Sequence, residues 1–255
     1  MTSEYDEDAI VLTFDVEWAP QAVIDDIVSE LSARGLKGTF FCTHGNVETP
    51  GHERGLHPNF RRDGETVKVL RTQTGPSFED WTDDQVIRQV LAKTLEFCPE
   101  ANGIRTHSLY FELKLLAIMQ DMGFVYDSSC LMPLQRSLSP FSTMWGVTEV
   151  PIYYMDHMDL VNDMTGFQMS NLKLDQKGLK VLNFHPALIY LNAENDERYQ
   201  ASKPFYSDPD RLRANRYSGR GTRSLFLDLL DNIASRQPST NTVAKIASSW
   251  ADSNK

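Results

Sequence analysis

The chain has 255 residues, 41% hydrophobic and 24% charged, enough for one sizeable core, and it reads as a single domain over residues 1–255. A formal net charge of −10 weighs against nucleic acid or an anionic membrane as partner, since both are polyanions. No run reaches the ~18 apolar residues of a membrane-spanning helix.

The acidic opening, Met1 to Asp8, lacks the basic and apolar regions of a signal peptide, so a cytoplasmic protein without membrane insertion is expected. Cys42, Cys98 and Cys130 are odd in number and never spaced C-x-x-C, which argues against a disulfide framework or a cysteine-built zinc site. All three sit in apolar surroundings and read as small core residues.

Taken in order, Ile10 to Phe14 is an apolar, β-rich run and reads as a buried strand. Pro20 suits a first helical turn, and Ile24, Ile27, Val28 and Leu31 follow as an amphipathic stripe that ends at Gly35. Gly38 to Cys42 reads as the next strand, giving a β-α-β unit with parallel strands and a right-handed crossover.

Residues 44–75 read mainly as loop, with a short strand near Gly55-Leu56-His57. Thr82-Asp83-Asp84-Gln85 is a capping box for a helix running to about Phe97. Gly103 to Arg105 is a strand, Tyr110 to Met122 a helix stopped by Gly123, and Phe124 to Tyr126 a strand. Two further strands are expected over Thr148 to Tyr154 and Leu179 to Phe184. Asn192 to Gly221 reads as a long, arginine-rich surface loop, and Ser224 to Ile233 and Thr242 to Trp250 as closing helices. The alternation is α/β, in a barrel or an open doubly wound sheet; the pattern alone does not choose.

In parallel α/β folds chemistry gathers at the C-terminal strand ends. Here those ends carry Asp15 and Glu17, then His52 and His57, then Arg105 and His107, and finally His185. Each has an ordinary structural alternative as a cap, a salt bridge or a solvated side chain. Their agreement across four strand ends is the signal.

Thr13-Phe14-Asp15, Gly38-Thr39-Phe40-Phe41 and Gly51-His52-Glu53-Arg54-Gly55-Leu56-His57 resemble the opening of the polysaccharide-deacetylase (NodB-homology) family, with its T-F-D-D-G, A-T-F-F and G-H-E-I-G-N-H segments. Arg105, Tyr126-Asp127-Ser128 and Leu182 to His185 resemble its later motifs. The combination of Asp15-Val16-Glu17-Trp18 with Arg105-Thr106-His107-Ser108 is most similar to the WbmS-type subgroup of O-antigen biosynthesis.

The resemblance implies an irregular (β/α) barrel of about seven parallel strands, a distorted TIM-type fold. It also implies a divalent metal, with zinc as the default, and hydrolysis of N-acetyl groups on a sugar. Asp15 would be the general base, Arg105 its partner, His185 the general acid, and Asp127 the residue tuning His185.

Two departures shape the expected metal site. The family's second aspartate is Val16 here, so Glu17 would take its place; the second histidine of H-x-x-x-H falls on Arg61, which cannot ligate, so His107 would join Glu17 and His57. Arg54, Arg61, Arg62, Arg211, Arg213, Arg216, Arg220 and Arg223 are either solvated or a clamp for phosphate or carboxylate, suited to a nucleotide- or lipid-linked sugar. Two rivals are another amide or phosphoester hydrolase on the same barrel, and a carbohydrate-binding protein that has lost its metal.

Overall fold

The computed structural model describes residues 5–236 and 240–254. Residues 1–4 of the acidic opening lie outside the described residues. Strands β1 (Ile10–Asp15), β2 (Thr39–Cys42) and β3 (Glu53–Leu56) come first, with helix α1 (Gln21–Ala33) crossing from β1 to β2. Val23, Ile24, Ile27, Val28 and Leu31 form the buried stripe of α1. Its exit is the left-handed Gly35, at a φ of 67° that glycine adopts without the backbone strain of a side chain.

Helix α2 (Glu65–Thr74) stands inside the region expected to be loop. Its polar sequence buries Val67 and Leu70 on one side, too few apolar positions to announce a helix. Helix α3 (Asp83–Leu95) opens on the expected capping box, Thr82 and Gln85 bonding each other's backbone N–H. Then follow β4 (Gly103–Ile104), α4 (Leu113–Asp121), β5 (Tyr126–Asp127) and β6 (Phe141–Ser142).

The strand expected over Thr148 to Tyr154 is two strands, β7 (Thr148–Glu149) and β8 (Ile152–Met155). Pro151 stands at the break and has no N–H to continue the ladder. Helix α5 (Asp156–Asn162) follows at once, then β9 (Lys180–Phe184) and α6 (Pro186–Leu191). The supposed arginine-rich loop contains α7 (Asp196–Ser202) and α8 (Pro209–Ala214), N-capped by Asn195 and Asp208. Helices α9 (Thr222–Arg236) and α10 (Val243–Ser253) close the chain.

The strands form one sheet in the order β6-β7-β5-β4-β3-β2-β1-β9-β8, parallel at every pair except β6/β7. It is therefore two strands larger than the expected set of about seven. A parallel bridge from Leu131 to Ile152 ties the chain after β5 back to β8 at the other end, so the sheet curls into an irregular (β/α) barrel.

Between sheet and helices lies the main core, where Phe14 stacks on Phe40 and meets Phe184 and Phe226. Cys42 and Cys98 are buried as expected, but Cys130 is half-exposed. No helix among the described residues is long and apolar enough to cross a membrane.

Candidate active site

Strands β1, β3, β4, β8 and β9 deliver the functional side chains to one end of the barrel. Asp15 closes β1 and is 2% exposed, beneath a cleft of about 230 Å³. Arg105 Nη1 donates to its Oδ1 at 3.1 Å, and Asn183 Nδ2, from β9, donates to its Oδ2 at 2.8 Å. Burial pushes the Asp15 carboxyl up, but the charges of His57, Arg105 and His185 outweigh it and hold the pKa below the ordinary value.

Arg105 is wholly buried, and its guanidinium lies 4.3 Å from the Phe41 ring centroid. Its remaining donors reach Thr13 Oγ1, Asn183 Oδ1, and both the carbonyl and hydroxyl oxygens of Ser128. A buried guanidinium is tolerable only when its forked donors are satisfied in this way.

Beside Asp15 stands a second cluster. Glu17, His57 and His107 each offer one ligand atom, and all three atoms lie within 4.8 Å of one another. Glu17 Oε1 is 3.1 Å from His57 Nε2 and 2.8 Å from His107 Nδ1. His57 Nδ1 donates to the Arg105 carbonyl at 2.7 Å, which orients the ring and commits Nε2 to the cluster.

Burial pushes the Glu17 carboxyl up, yet the bonds from His107 and His57 bring it well below the ordinary value. Two imidazoles and a carboxylate converging from three turns fit a divalent cation, with coordination positions left for water and substrate.

Backbone strain builds this geometry. Glu17 and Trp18 are consecutive left-handed residues, with φ of 49° and 58°. Across the cluster, Ser108 and Leu109 repeat the conformation at 58° and 52°. Such residues cost roughly 1–2 kcal/mol each without glycine. The first pair leaves Val16 fully buried and turns Glu17 back over the strand end, where Trp18 meets His107 edge-on at 5.6 Å between ring centroids. That turn is how a carboxylate two residues after Asp15 reaches the cluster. Arg61, which occupies the place of the second family histidine, lies 3.8 Å from Asp63, outside the cluster.

His185 follows β9 and faces Asp15, its Nε2 lying 3.9 Å from Asp15 Oδ2. Behind it, Asp156 Oδ1 accepts from His185 Nδ1 at 2.6 Å, and Asp156 Oδ2 accepts from the His185 backbone N–H at 2.8 Å. Burial pushes the imidazole down, but the charge and hydrogen bond of Asp156, with Asp15 and Glu17, raise its pKa to about 9.

Asp156 therefore holds the position that sequence reasoning gave to Asp127. Asp127 instead accepts from Ser129 Oγ at 2.5 Å and shares a buried environment with Glu149; burial raises its pKa to about 6. In sequence only the short spacing from β8 marked Asp156. Asn183 stood within the quoted motif without a role.

His157, Tyr199 and Lys203 complete the far wall of the cleft, and Leu109 and Leu188 also line it. His52 is elsewhere, its ring against Phe40. The basic clusters do not line this cleft. Arg223 pairs with Asp26 and Glu30, Arg220 with Asp228, Arg54 with Glu100 and Arg62 with Asp83. Arg213 and Arg216 lie over Tyr190, and Arg211 over Phe205. These arginines pack helices and loops together.

The family model described as WbmS-like polysaccharide deacetylase matches residues 12–203. Among solved structures, the chain resembles a candidate polysaccharide deacetylase involved in O-antigen biosynthesis, WbmS from Bordetella bronchiseptica. Identity is 26%, coverage 88% of this chain and 90% of that one, and the TM-score 0.73. A candidate polysaccharide deacetylase from Mycobacterium smegmatis shares the fold at 14% identity, with 100% and 96% of the chains covered and a TM-score of 0.59. The peptidoglycan deacetylase PdaC of Bacillus subtilis does so at 11% identity, with 98% and 94% covered and a TM-score of 0.51. No curated protein sequence matched. With three quarters of its length under the family model, this chain belongs to the WbmS-like polysaccharide deacetylases.

Proposed function

We propose that the protein is a metal-dependent hydrolase that removes N-acetyl groups from a nucleotide- or lipid-linked sugar in the cytoplasm, in the synthesis of O-antigen or another surface polysaccharide. The observation that carries this reading is the opposition of Asp15 and His185 across 3.9 Å beside the Glu17–His57–His107 cluster.

An amide resists hydrolysis because its carbonyl is a poor electrophile and its amine a poor leaving group. Glu17, His57 and His107 would hold a divalent cation, zinc by default for this donor set, which would supply a Lewis acid for the carbonyl and lower the pKa of water. Asp15, kept ionised by Arg105 and Asn183, takes the proton from the attacking water. His185, protonated up to about pH 9, gives its proton to the departing sugar nitrogen. The two partners thus hold opposite protonation states through the neutral range, as an acid–base pair requires. Asp156 fixes the His185 ring from behind and compensates its charge.

The test is acetate release from N-acetylated sugars by protein loaded with zinc, cobalt or manganese in turn. Wild type is expected to release acetate; Asp15→Asn and His185→Ala are expected to lose at least about 100-fold in rate. Undiminished release in both variants refutes the roles assigned here.

A further inference from the structure

The cleft contains one charge with no counter-charge. Asp15 is met by Arg105, His185 by Asp156, and Glu17 lies between two histidines. Lys203, which begins the short turn Lys203–Phe205 after α7, lines the opposite wall with Tyr199 and His157. Its Nζ donates to Tyr199 Oη at 2.6 Å and stands 3.9 Å and 5.1 Å from the Tyr199 and Tyr206 ring centroids. Among the described residues no carboxylate comes within ion-pair distance of it; Glu17 and Asp196 act on it only from further away. The arginines near this end of the barrel have carboxylate or tyrosine partners and do not line the cleft.

A lysine is a flexible point charge, and holding it still is entropically costly. Here two tyrosine faces and a phenol oxygen hold the ammonium at the cleft without neutralising it. Pre-ordering a binding group reduces what its ligand must offset on arrival. We infer that Lys203 is a specificity-determining residue that binds an anionic group on the substrate. The acetylated sugar turned over here then carries a carboxylate or a phosphate. The cleft of about 230 Å³ is small, so the anion is on the acetylated ring or directly attached to it. A ring carboxylate and an anomeric phosphate share this chemistry. The inference rests on the deacetylase reading for calling the ligand a substrate; the anion site itself does not.

Calorimetric titration of the metal-loaded protein tests it, with three probes: N-acetylglucosamine, its 6-carboxylate analogue and its 1-phosphate. Wild type is expected to bind one anionic probe at least 10-fold more tightly than the neutral sugar. A preference for the carboxylate places the anion on the ring; a preference for the phosphate places it at the anomeric carbon. Lys203→Met is expected to abolish the preference and leave neutral-sugar affinity unchanged. Lys203→Arg is expected to restore most of it, and Tyr199→Phe to weaken it, with circular dichroism checking that each variant folds.

Equal binding of neutral and anionic probes by wild type, a preference undiminished in Lys203→Met, or no binding of either anion at 10 mM overturns the inference. Acetate release is scored separately on the same samples. Release without charge preference sinks the anion site and spares the deacetylase reading. Lys203-dependent anion binding without release from any probe does the reverse.

Discussion

Asp156 grips His185 twice, accepting from the ring Nδ1 at 2.6 Å and from the backbone N–H at 2.8 Å, so one carboxylate sets both the position and the proton affinity of the residue facing Asp15. Removing that charge is expected to release His185 toward its ordinary imidazole range. With His185 as the proposed acid, activity falls as pH rises through its pKa. In wild type the alkaline limb of kcat/KM is expected near pH 9. In Asp156→Asn it moves down by about two units, with about 10-fold less activity at pH 8. A pH–rate profile with the same alkaline limb in both proteins removes Asp156 from this role.

Arg105 sits at the base of the site with no contact to solvent. Replacing it by methionine leaves Asp15 buried without its cation. The loss is expected to be about 3 kcal/mol of unfolding free energy, measured by urea denaturation. Asp15→Asn is the milder change, because Thr13, Asn183 and Ser128 still satisfy the guanidinium.

Cation binding couples to both stability and protonation. One cation per chain is expected by elemental analysis of wild type, and less than a tenth of that in Glu17→Gln or His107→Ala. At 100 times the dissociation constant the cation stabilises the fold by about 2.7 kcal/mol, so chelator should lower the melting temperature of wild type and leave both variants unmoved. Burial opposes protonation of His57, but Asp15 and Glu17 raise its pKa, and a proton on Nε2 competes with the cation. Affinity should therefore weaken as pH falls through neutrality.

The Asp127–Glu149 pair gives the opposite pH sign from most carboxylates. Burial raises Asp127 to about 6 and Glu149 well above its ordinary value. The folded chain then binds more protons than the unfolded one between about pH 4 and 6, so this pair's contribution to stability falls as pH rises through that window. Asp127→Asn should keep the acceptor for Ser129 and remove the penalty. It should gain on the order of 2 kcal/mol at pH 8 and nothing at pH 4, by denaturant titration.

Ser108 is exposed and left-handed, with φ of 58°. Glycine there relieves backbone strain, offset in part by a freer unfolded chain. Ser108→Gly is expected to gain about 0.5 kcal/mol in stability while loosening the neighbouring His107 and weakening the cation site.

Strong periodicity made α1, α3, β1, β2 and β9 legible in the sequence, because each buries a regular apolar face. The polar α2, α7 and α8 were hidden among loop-like residues. The strand-end residues Asp15, Glu17, His57, Arg105, His107 and His185 were visible as chemistry. Their neighbours were not, since strand order is a tertiary property. Asp127 ends β5, which four strands separate from β9 in the sheet order. Asp156 follows β8, the immediate neighbour of β9, and so reaches His185. Lys203 escaped notice because its meaning is the lack of a carboxylate counter-charge among the described residues, which only the fold reveals.

The tandem left-handed turn at Glu17 and Trp18 also bears on how such proteins are recognised. By reversing the chain just past β1, it uncouples the address of a carboxylate in the primary structure from its address in space. A scan that demands an acid immediately after Asp15 finds a valine and scores the protein as dead. Divergent relatives bearing an acid one step along, with two bulky residues at positive φ, belong among the candidates for live enzymes.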